Sequence, residues 1–287
     1  IRPDLRAVID RHAFGLDENR PDAVARRRKT GQRTARENIN ALCDAGSFIE
    51  YGALAIAAQR KRRTVDDLIR ATPADGIVTG IGTVNGTYFP DQDARCMVLA
   101  YDYTVLAGTQ GTFSHKKTDR MLSLAQQWQL PVVLFAEGGG GRPGDTDKPG
   151  VAGLDCTTFI QFARLSGLVP LVGVVSGRCF AGNAALLGCA DVIIATRNAT
   201  IGMGGPAMIE GGGLGVYAPE EVGPVSMQAP NGVIDVLVDD ETAAVDVAKR
   251  YLGYFQGPHS TWEAGDARHL RHLIPENRMR SYDMRAV

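Results

Sequence analysis

The sequence predicts an α/β fold around a largely parallel sheet that has helices on both faces. Short apolar segments alternate with segments of helical spacing, which is the order of a parallel sheet. The strand segments 130–136 and 169–175 carry no charged residue, as expected when both faces of a strand are covered. Each of them runs into a glycine-rich turn. We therefore expect both turns at the same edge of the sheet.

Helical spacing dominates the first third of the chain. Apolar residues recur at helical intervals over residues 5–14, and Pro21 suits the first turn of a longer helix that we expect to reach Cys43. The arginine-rich stretch 26–36 is interpreted as a solvated face of that helix. The segment 44–47 ends it with Asp-Ala-Gly-Ser. These observations predict a helical extension over residues 1–50.

Extended structure begins at residues 48–51, and a short capped helix is expected over residues 64–69. Glycine alternates with β-branched residues over residues 76–84. Asn85-Gly86 then predicts a tight hairpin turn before a buried strand at residues 96–101.

Helix, apolar strand and glycine-rich turn then follow one another repeatedly. Helices are expected over residues 119–129, 154–167 and 184–189, and strands over residues 130–136, 169–175 and 191–195. An amphipathic helix over residues 241–255 closes this domain, which we place at residues 51–257. The polar segment 258–287 is expected to be a linker into a second half that this chain does not contain.

Composition excludes several functions. The chain has 31 basic and 32 acidic residues and a net charge of −1, so it lacks the field that holds a nucleic-acid backbone. No apolar run approaches the roughly 20 residues that a membrane span needs, and the first ten residues lack the layout of a secretory signal. Five cysteines without metal-ligand spacing predict reduced thiols, no metal site and a cytoplasmic protein.

The two glycine-rich turns, residues 137–142 and 177–183, indicate the chemistry. Reaction at the carbon beside a thioester carbonyl places negative charge on the carbonyl oxygen, and each preorganised backbone N–H donor stabilises that charge by about 3 kcal/mol. Glycine keeps side chains out of the way, and a helix start adds free N–H groups. The turns therefore predict an oxyanion site for an acyl-CoA thioester.

Other interpretations of the glycines are weaker. Each turn alone is equally consistent with an ordinary connection, but two turns at corresponding strand ends favour a site. Residues 138–144 lack the Gly-Lys-Ser/Thr ending of a phosphate loop. The glycines of residues 80–86 are not followed by a helix, as a dinucleotide fingerprint requires. The many glycines of residues 202–215 suggest a flexible or closely packed wall.

Six segments, in order along the chain, have counterparts in one protein family. They are residues 31–39, 108–111, 137–142, 177–184, 219–223 and 231–235. The first resembles the TARERI helix of the carboxyltransferases of biotin-dependent acyl-CoA carboxylases, a branch of the crotonase superfamily. The second resembles that family's glycine-rich loop before a lysine-bearing helix. The next two resemble its SGGAR and GPCAGGA turns, and the last two match later motifs. The resemblance covers about residues 25–256.

The resemblance implies a crotonase-like spiral of ββα units and a set of site residues. Backbone N–H groups of Ala181, Gly182, Gly138 and Gly139 are the expected oxyanion donors. The expected substrate-binding residues are Gly140, Gly141, Arg142, Cys179, Phe180, Lys116 and Arg33. The family turn has Gly-Gly-Ala where this chain has Ala181-Gly182-Asn183, so Asn183 is a departure that narrows the cleft.

The resemblance also implies the reaction and its partners. Carboxybiotin on a separate carrier domain and acyl-CoA enter the site from opposite sides. Release of CO2 leaves a basic biotin nitrogen that removes the α-proton, and the enolate attacks CO2. The biotin carboxyl carrier and biotin carboxylase are expected as other domains or subunits, because the chain has no ATP-binding motif and no Met-Lys-Met. The second carboxyltransferase half is expected from a neighbouring subunit of a homo-oligomer.

Two alternatives stay open. Enoyl-CoA hydratases and isomerases place catalytic glutamates after the second turn, where this chain has Ala185, and in the next loop, near Ala207, with Glu210 the closest carboxylate. Water addition needs a positioned acid and base, so this alternative is disfavoured. The second alternative is a non-catalytic CoA-binding or assembly half that completes a partner's site.

Several charged side chains near the motifs have two interpretations. A catalytic Glu137 would oppose a developing enolate, so a structural role is favoured. Arg33, Lys116, Lys117 and Arg142 are candidate contacts for CoA phosphates, with an exposed surface position equally open.

Overall fold

A seven-stranded mixed sheet forms the centre of the unit Ile1–Gln256 in the computed structural model, which describes residues 1–147, 156–258 and 263–287. Its strands, in spatial order, are β1 (Ile49–Tyr51), β2 (Ile77–Thr83), β3 (Arg95–Tyr101), β4 (Val132–Phe135), β5 (Leu171–Val175), β7 (Val192–Thr196) and β9 (Val236–Val238). β1, β2 and β3 pair antiparallel, and the later neighbours pair parallel. A separate parallel pair is formed by β6 (Arg178–Phe180) and β8 (Thr200–Gly202).

Helices cover both faces of this sheet, as the sequence predicts. In chain order they are α1 (Pro3–Ala13), α2 (Pro21–Arg28), α3 (Ala35–Leu42), α4 (Val65–Ala71), α5 (Asp91–Ala94), α6 (Thr112–Trp128), α7 (Thr158–Ala163), α8 (Gly182–Leu187), α9 (Pro206–Gly211), α10 (Val225–Gln228) and α11 (Glu241–Gly253). One buried cluster joins alternate strand residues to α6, α7 and α8, and includes Leu99, Leu134, Met121, Phe162 and Leu187. The other joins the opposite face to α3 and α11, and includes Val98, Val133, Ile39 and Leu252. Both faces of β4, and of β3 after its exposed first residue Arg95, are therefore buried, which explains their apolar sequences.

The predicted single helix from Pro21 to Cys43 is wrong. The chain forms two helices, α2 and α3, because Gly31 adopts a left-handed conformation with φ +72° between them. Thr34 then caps α3 in a capping box with Glu37, in which the Thr34 side chain accepts from the Glu37 N–H. The sequence Thr34-Ala35-Arg36-Glu37 has the pattern of a capping box, which indicates that a new helix starts after Thr34.

The tight two-residue turn predicted at Asn85-Gly86 is also wrong, although β2 and β3 do pair antiparallel. The connection is longer and contains α5. Asn85 has φ +63°, and its carbonyl accepts from the N–H groups of Tyr88 and Phe89. Its side chain donates to Lys249 O and Gln256 Oε1, at 2.9 and 2.8 Å. This anchor at the end of α11 explains why the asparagine begins a wide loop.

Two further helices differ from their predicted bounds. α6 begins seven residues earlier than predicted because Ser114 Oγ accepts from the N–H of Gly111 and so caps its start. The helix predicted over residues 154–167 is represented by α7. Residues 154 and 155 lie outside the described residues.

In the unit Gly257–Val287, the described residues 257–258 and 263–287 are irregular apart from short 3-10 turns at Ala267–His272 and Met284–Ala286. Among the residues that the structure describes, no helix combines the length and the apolar composition that crossing a bilayer requires.

Candidate functional site

The two glycine turns lie side by side at the carboxyl ends of β4 and β5. Gly138 donates its N–H to Arg178 O at 2.8 Å, and the N–H of Phe180 donates to Gly138 O at 2.9 Å. These bonds form a parallel bridge between Gly138 and Cys179. The two turns therefore form one hydrogen-bonded unit, as their positions after neighbouring strands predict.

A third loop, before α6, joins the same unit. The N–H of Gln110 donates to Gly140 O at 2.7 Å, and the N–H of Arg142 donates to Gln110 O at 2.8 Å. The Gln110 side chain is buried and donates from Nε2 to the Tyr101 hydroxyl at 3.0 Å. Gln110 belongs to the glycine-rich motif at residues 108–111. Its side-chain role depends on the hydrogen bond to Tyr101 of β3, which cannot be predicted from the spacing of residues in the sequence.

The four predicted donors have different environments. The N–H groups of Gly138, Gly139 and Ala181 already donate to backbone oxygens, those of Arg178, Ala107 and Gly202. Gly182 is the first residue of α8, and the first N–H groups of a helix have no acceptor within it. Gly182 is therefore the member of this set that is best placed to donate to a ligand.

The turn at Ala181-Gly182 is tightly packed. Ala181 has φ +49°, a conformation that favours glycine and costs a non-glycine residue about 1–3 kcal/mol. A Cβ on Gly140 would lie 2.6 Å from that of Ala181, and a Cβ on Gly182 would clash with Gln110 Oε1. Neither glycine can gain a side chain without displacing a neighbour.

Asn183, the departure from the family motif, links the three loops. Its side chain is fully buried. Oδ1 accepts from the Gly140 N–H at 3.0 Å, and Nδ2 donates to Gly108 O at 3.3 Å. The asparagine thus holds the start of α8 against both glycine loops, a role the sequence does not reveal.

Replacing Asn183 with alanine is expected to destabilise the chain by about 1–3 kcal/mol, because the Gly140 N–H and the Gly108 carbonyl lose their buried partner. Urea unfolding monitored by circular dichroism measures the change. Asn231→Ala is the control, since Asn231 is exposed. Equal unfolding free energies for the two variants would contradict the linking role.

Arg142 is buried. This differs from both predictions for its side chain, which were a contact with a CoA phosphate and an exposed surface position. Its side chain is 4 % exposed and forms ion pairs with Asp75 and Asp145, which are 0 and 1 % exposed. Its Nη2 also donates to Thr109 O at 2.8 Å. The guanidinium is thus committed to buried partners, and it fixes the loops behind the glycine turn.

Glu137 has a structural partner, as favoured from the sequence. Its carboxylate pairs with Arg27 and accepts from Gln32 Nε2 at 3.3 Å, under Gly177. Burial raises the pKa of Glu137 to about 7, although the Arg27 guanidinium opposes this. Arg27 lies in the stretch interpreted as a solvated helix face, and that interpretation is wrong for this residue, which is buried.

The predicted substrate-binding residues Gly141, Cys179 and Phe180 differ in how far they are exposed. Gly141 is exposed, and open space surrounds the position of a Cβ on it. Cys179 and Phe180 are buried, and the Cys179 S–H donates to Ala136 O at 3.2 Å. Burial raises the pKa of Cys179, so its thiol is structural.

The three other basic residues considered for CoA phosphates, Lys116, Lys117 and Arg33, have different surroundings. Lys116 is exposed, with its Nζ 5.5 Å from the centre of the Phe113 ring. Lys117 Nζ donates to Ala74 O and Ile77 O, at 2.8 and 2.6 Å, and burial lowers the pKa of this lysine to about 8. Arg33 is half-buried, and its backbone N–H donates to Glu241 Oε2 at 2.7 Å.

Comparison with known proteins gives consistent matches. Residues 26–287 match the family described as the carboxyl transferase domain. The chain is 30% identical over 278 residues to the methylmalonyl-CoA carboxyltransferase 12S subunit of Propionibacterium freudenreichii subsp. shermanii, covering 92% of this chain and 50% of that protein. It thus spans about half the length of the curated relatives it matches.

Two solved structures are also similar. One is a single-chain, multi-domain long-chain acyl-CoA carboxylase, with 62% identity and a TM-score of 0.90, covering 99% of this chain and 28% of that one. The other is transcarboxylase 12S, a hexamer solved with hydrolysed methylmalonyl-CoA bound, with 26% identity and a TM-score of 0.74, covering 98% of this chain and 54% of that one. These likenesses confirm the predicted crotonase-like fold.

Proposed function

Because the chain belongs to the carboxyl transferase domain family, we propose that it forms one half of the site at which a biotin-dependent acyl-CoA carboxylase transfers a carboxyl group to acyl-CoA. One observation carries the proposal. The two glycine turns are joined as a single unit, and the N–H of Gly182 lies at the start of the helix that follows them.

In the proposed reaction this half binds and polarises the thioester. The carbonyl oxygen accepts from the Gly182 N–H, and this bond strengthens as the α-carbon loses its proton and the oxygen gains charge. The exposed residues Gly139 and Gly141 leave room for the substrate beside the turn. Carboxybiotin, when bound, supplies both CO2 and the base, so the chain needs to contribute position and neutral donors.

The positions of the acidic residues near the turns are more consistent with carboxyl transfer than with addition of water to an enoyl-CoA. Ala185 occupies the position of a hydratase glutamate, and Glu210 is exposed on α9. Glu137 is buried and paired with Arg27. Water addition needs a positioned acid and base, and none of these residues provides them at the turns.

The remaining half of the site, the biotin carboxyl carrier and the biotin carboxylase belong, in our proposal, to other domains or subunits of a homo-oligomer. The multi-domain carboxylase at 62% identity and the hexameric 12S protein support this arrangement. We retain residues 51–257 as the carboxyltransferase domain, residues 1–50 as its extension and residues 258–287 as the linker. Five free cysteines support a cytoplasmic location.

A long-chain acyl-CoA is the substrate we favour, on the same 62% identity. The complete enzyme, incubated with radiolabelled bicarbonate, ATP and acyl-CoA, is expected to form a labelled acyl-CoA, and avidin is expected to stop the reaction. Palmitoyl-CoA and propionyl-CoA are compared in parallel, and crotonyl-CoA without ATP tests for hydration. Hydration in the presence of avidin would contradict the proposal, whereas a preference for propionyl-CoA would contradict only the chain length.

The assembly alternative has its own test. We expect Gly182→Pro to lose transfer while the enzyme keeps its oligomeric state and its acyl-CoA affinity. A half that served assembly alone would lose transfer only together with the oligomer.

A further inference from the structure

A cysteine, a histidine, two threonines and an aspartate meet where α6 passes the start of α7. Cys156 Sγ lies 3.3 Å from His115 Nδ1, and the same nitrogen lies 2.9 Å from Thr158 Oγ1. Asp119, one helical turn after His115, accepts from the hydroxyls of Thr157 and Thr158. The proposed transfer reaction uses none of these side chains.

The hydrogen bonds of this cluster fix the role of the His115 nitrogen. A carboxylate only accepts, so Thr158 gives its one hydroxyl hydrogen to Asp119. The Thr158 hydroxyl then has no hydrogen to give to His115 Nδ1. In this contact the Thr158 oxygen is the acceptor, so His115 Nδ1 must carry the hydrogen. That N–H also faces Cys156 Sγ. A hydrogen-bond donor beside a sulfur favours the thiolate, which is the nucleophilic form of a cysteine.

The other four cysteines have a different environment. The S–H groups of Cys96, Cys179 and Cys189 donate to backbone carbonyl oxygens, and burial raises the pKa of all three. Cys43 is buried, and burial raises its pKa to about 12. These surroundings favour the unreactive thiol. Cys156 is half-exposed, its S–H lies 3.7 Å from the Thr158 hydroxyl oxygen and not against a backbone carbonyl, and its sulfur faces the His115 N–H.

We infer that Cys156 is a modification site that reacts with small, soft carbon electrophiles. With iodoacetamide, the sulfur forms a bond to the methylene carbon, the carbon–iodine bond breaks, iodide leaves and the thiol proton passes to solvent. The His115 N–H stabilises the charge on sulfur before the bond forms. His115 is a positioning residue in this step, because it acts through Cys156.

The cluster lies next to the glycine turn. The Phe159 ring packs edge-on against His115, with ring centres 6.1 Å apart. The tip of the same ring would lie 3.4 Å from a Cβ on Gly182. An adduct on Cys156 would therefore be connected to the proposed donor through the rings of His115 and Phe159, although the reactivity of the thiol does not depend on the proposed function.

Timed alkylation tests the inference. The complete protein that carries this chain is treated with iodoacetamide under native conditions at pH 7, quenched, and mapped by peptide mass spectrometry. Cys156 is expected to react at least about tenfold faster than Cys189, which is also partly exposed but donates to a carbonyl. Equal or slower alkylation of Cys156 would overturn the inference.

His115→Ala separates activation from exposure. The variant is expected to lower the alkylation rate of Cys156 about tenfold and to leave that of Cys189 unchanged. An unchanged Cys156 rate in a folded variant would overturn the role of His115. Labelling of the buried Cys96 would reveal an unfolded variant, and the comparison of Cys156 with Cys189 in the unsubstituted protein then decides the inference.

Discussion

Replacing Gly182 with proline in the complete enzyme is expected to lower kcat/KM for carboxyl transfer by at least about 100-fold, because proline has no N–H to donate to the enolate oxygen. Proline is tolerated at the first position of a helix, which Gly182 occupies in α8. The initial rate of labelled acyl-CoA formation measures the loss. Calorimetry shows whether the fold survives.

Gly182→Ala is the matched control. Alanine keeps the N–H but places a Cβ in the same position, where it displaces Gln110 Oε1 just as proline does. The two variants therefore share the added Cβ, and they differ in the N–H and in the remaining atoms of the proline ring. If proline and alanine lowered kcat/KM equally, Gly182 would not be the donor.

The largest effect on stability is expected for Arg142→Met, at about 3–5 kcal/mol, because the variant leaves the buried carboxylates of Asp75 and Asp145 without their counter-charge. Urea unfolding at pH 7 measures this free energy. The double variant Arg142→Met with Asp75→Leu is expected to recover part of it, since one unpaired charge is then removed.

An exposed ion pair gives the comparison. Arg95 pairs with Asp91, and their side chains are 55 and 66 % exposed. Arg95→Met is therefore expected to cost less than about 1 kcal/mol. A cost for Arg142→Met as small as that for Arg95→Met would show that the buried cluster contributes little to stability.

The parallel sheet, the helices that cover it and the proximity of the two turns can be predicted from the sequence. Each of these features depends on the pattern of apolar residues and glycines within a short segment. The apolar runs at β4 and β5 define buried parallel strands, and glycines directly after them define turns at one edge. The helix break at Gly31 is harder to predict, because a left-handed glycine is compatible with several local structures. The wide loop at Asn85 depends on α11, about 160 positions later.

The details of the site are less predictable than its place. Asn183, Gln110 and Arg27 act through partners on other elements, and the sequence gives no sign of which partner each will meet. Arg142 belongs to a recognised motif, so a substrate contact is the natural expectation. One of its two ion-pair partners, Asp75, lies 67 positions earlier in a segment without any motif.

The bridge between Gly138 and Cys179 has a thermodynamic consequence for turnover. Ordering a backbone residue costs about 1–2 kcal/mol of conformational entropy. Because hydrogen bonds within the chain already hold the turns together, folding bears that cost once, and it does not recur in each catalytic cycle. In the proposed reaction, the binding energy of the CoA portion is then available to orient the thioester at the donor instead of assembling the donor site.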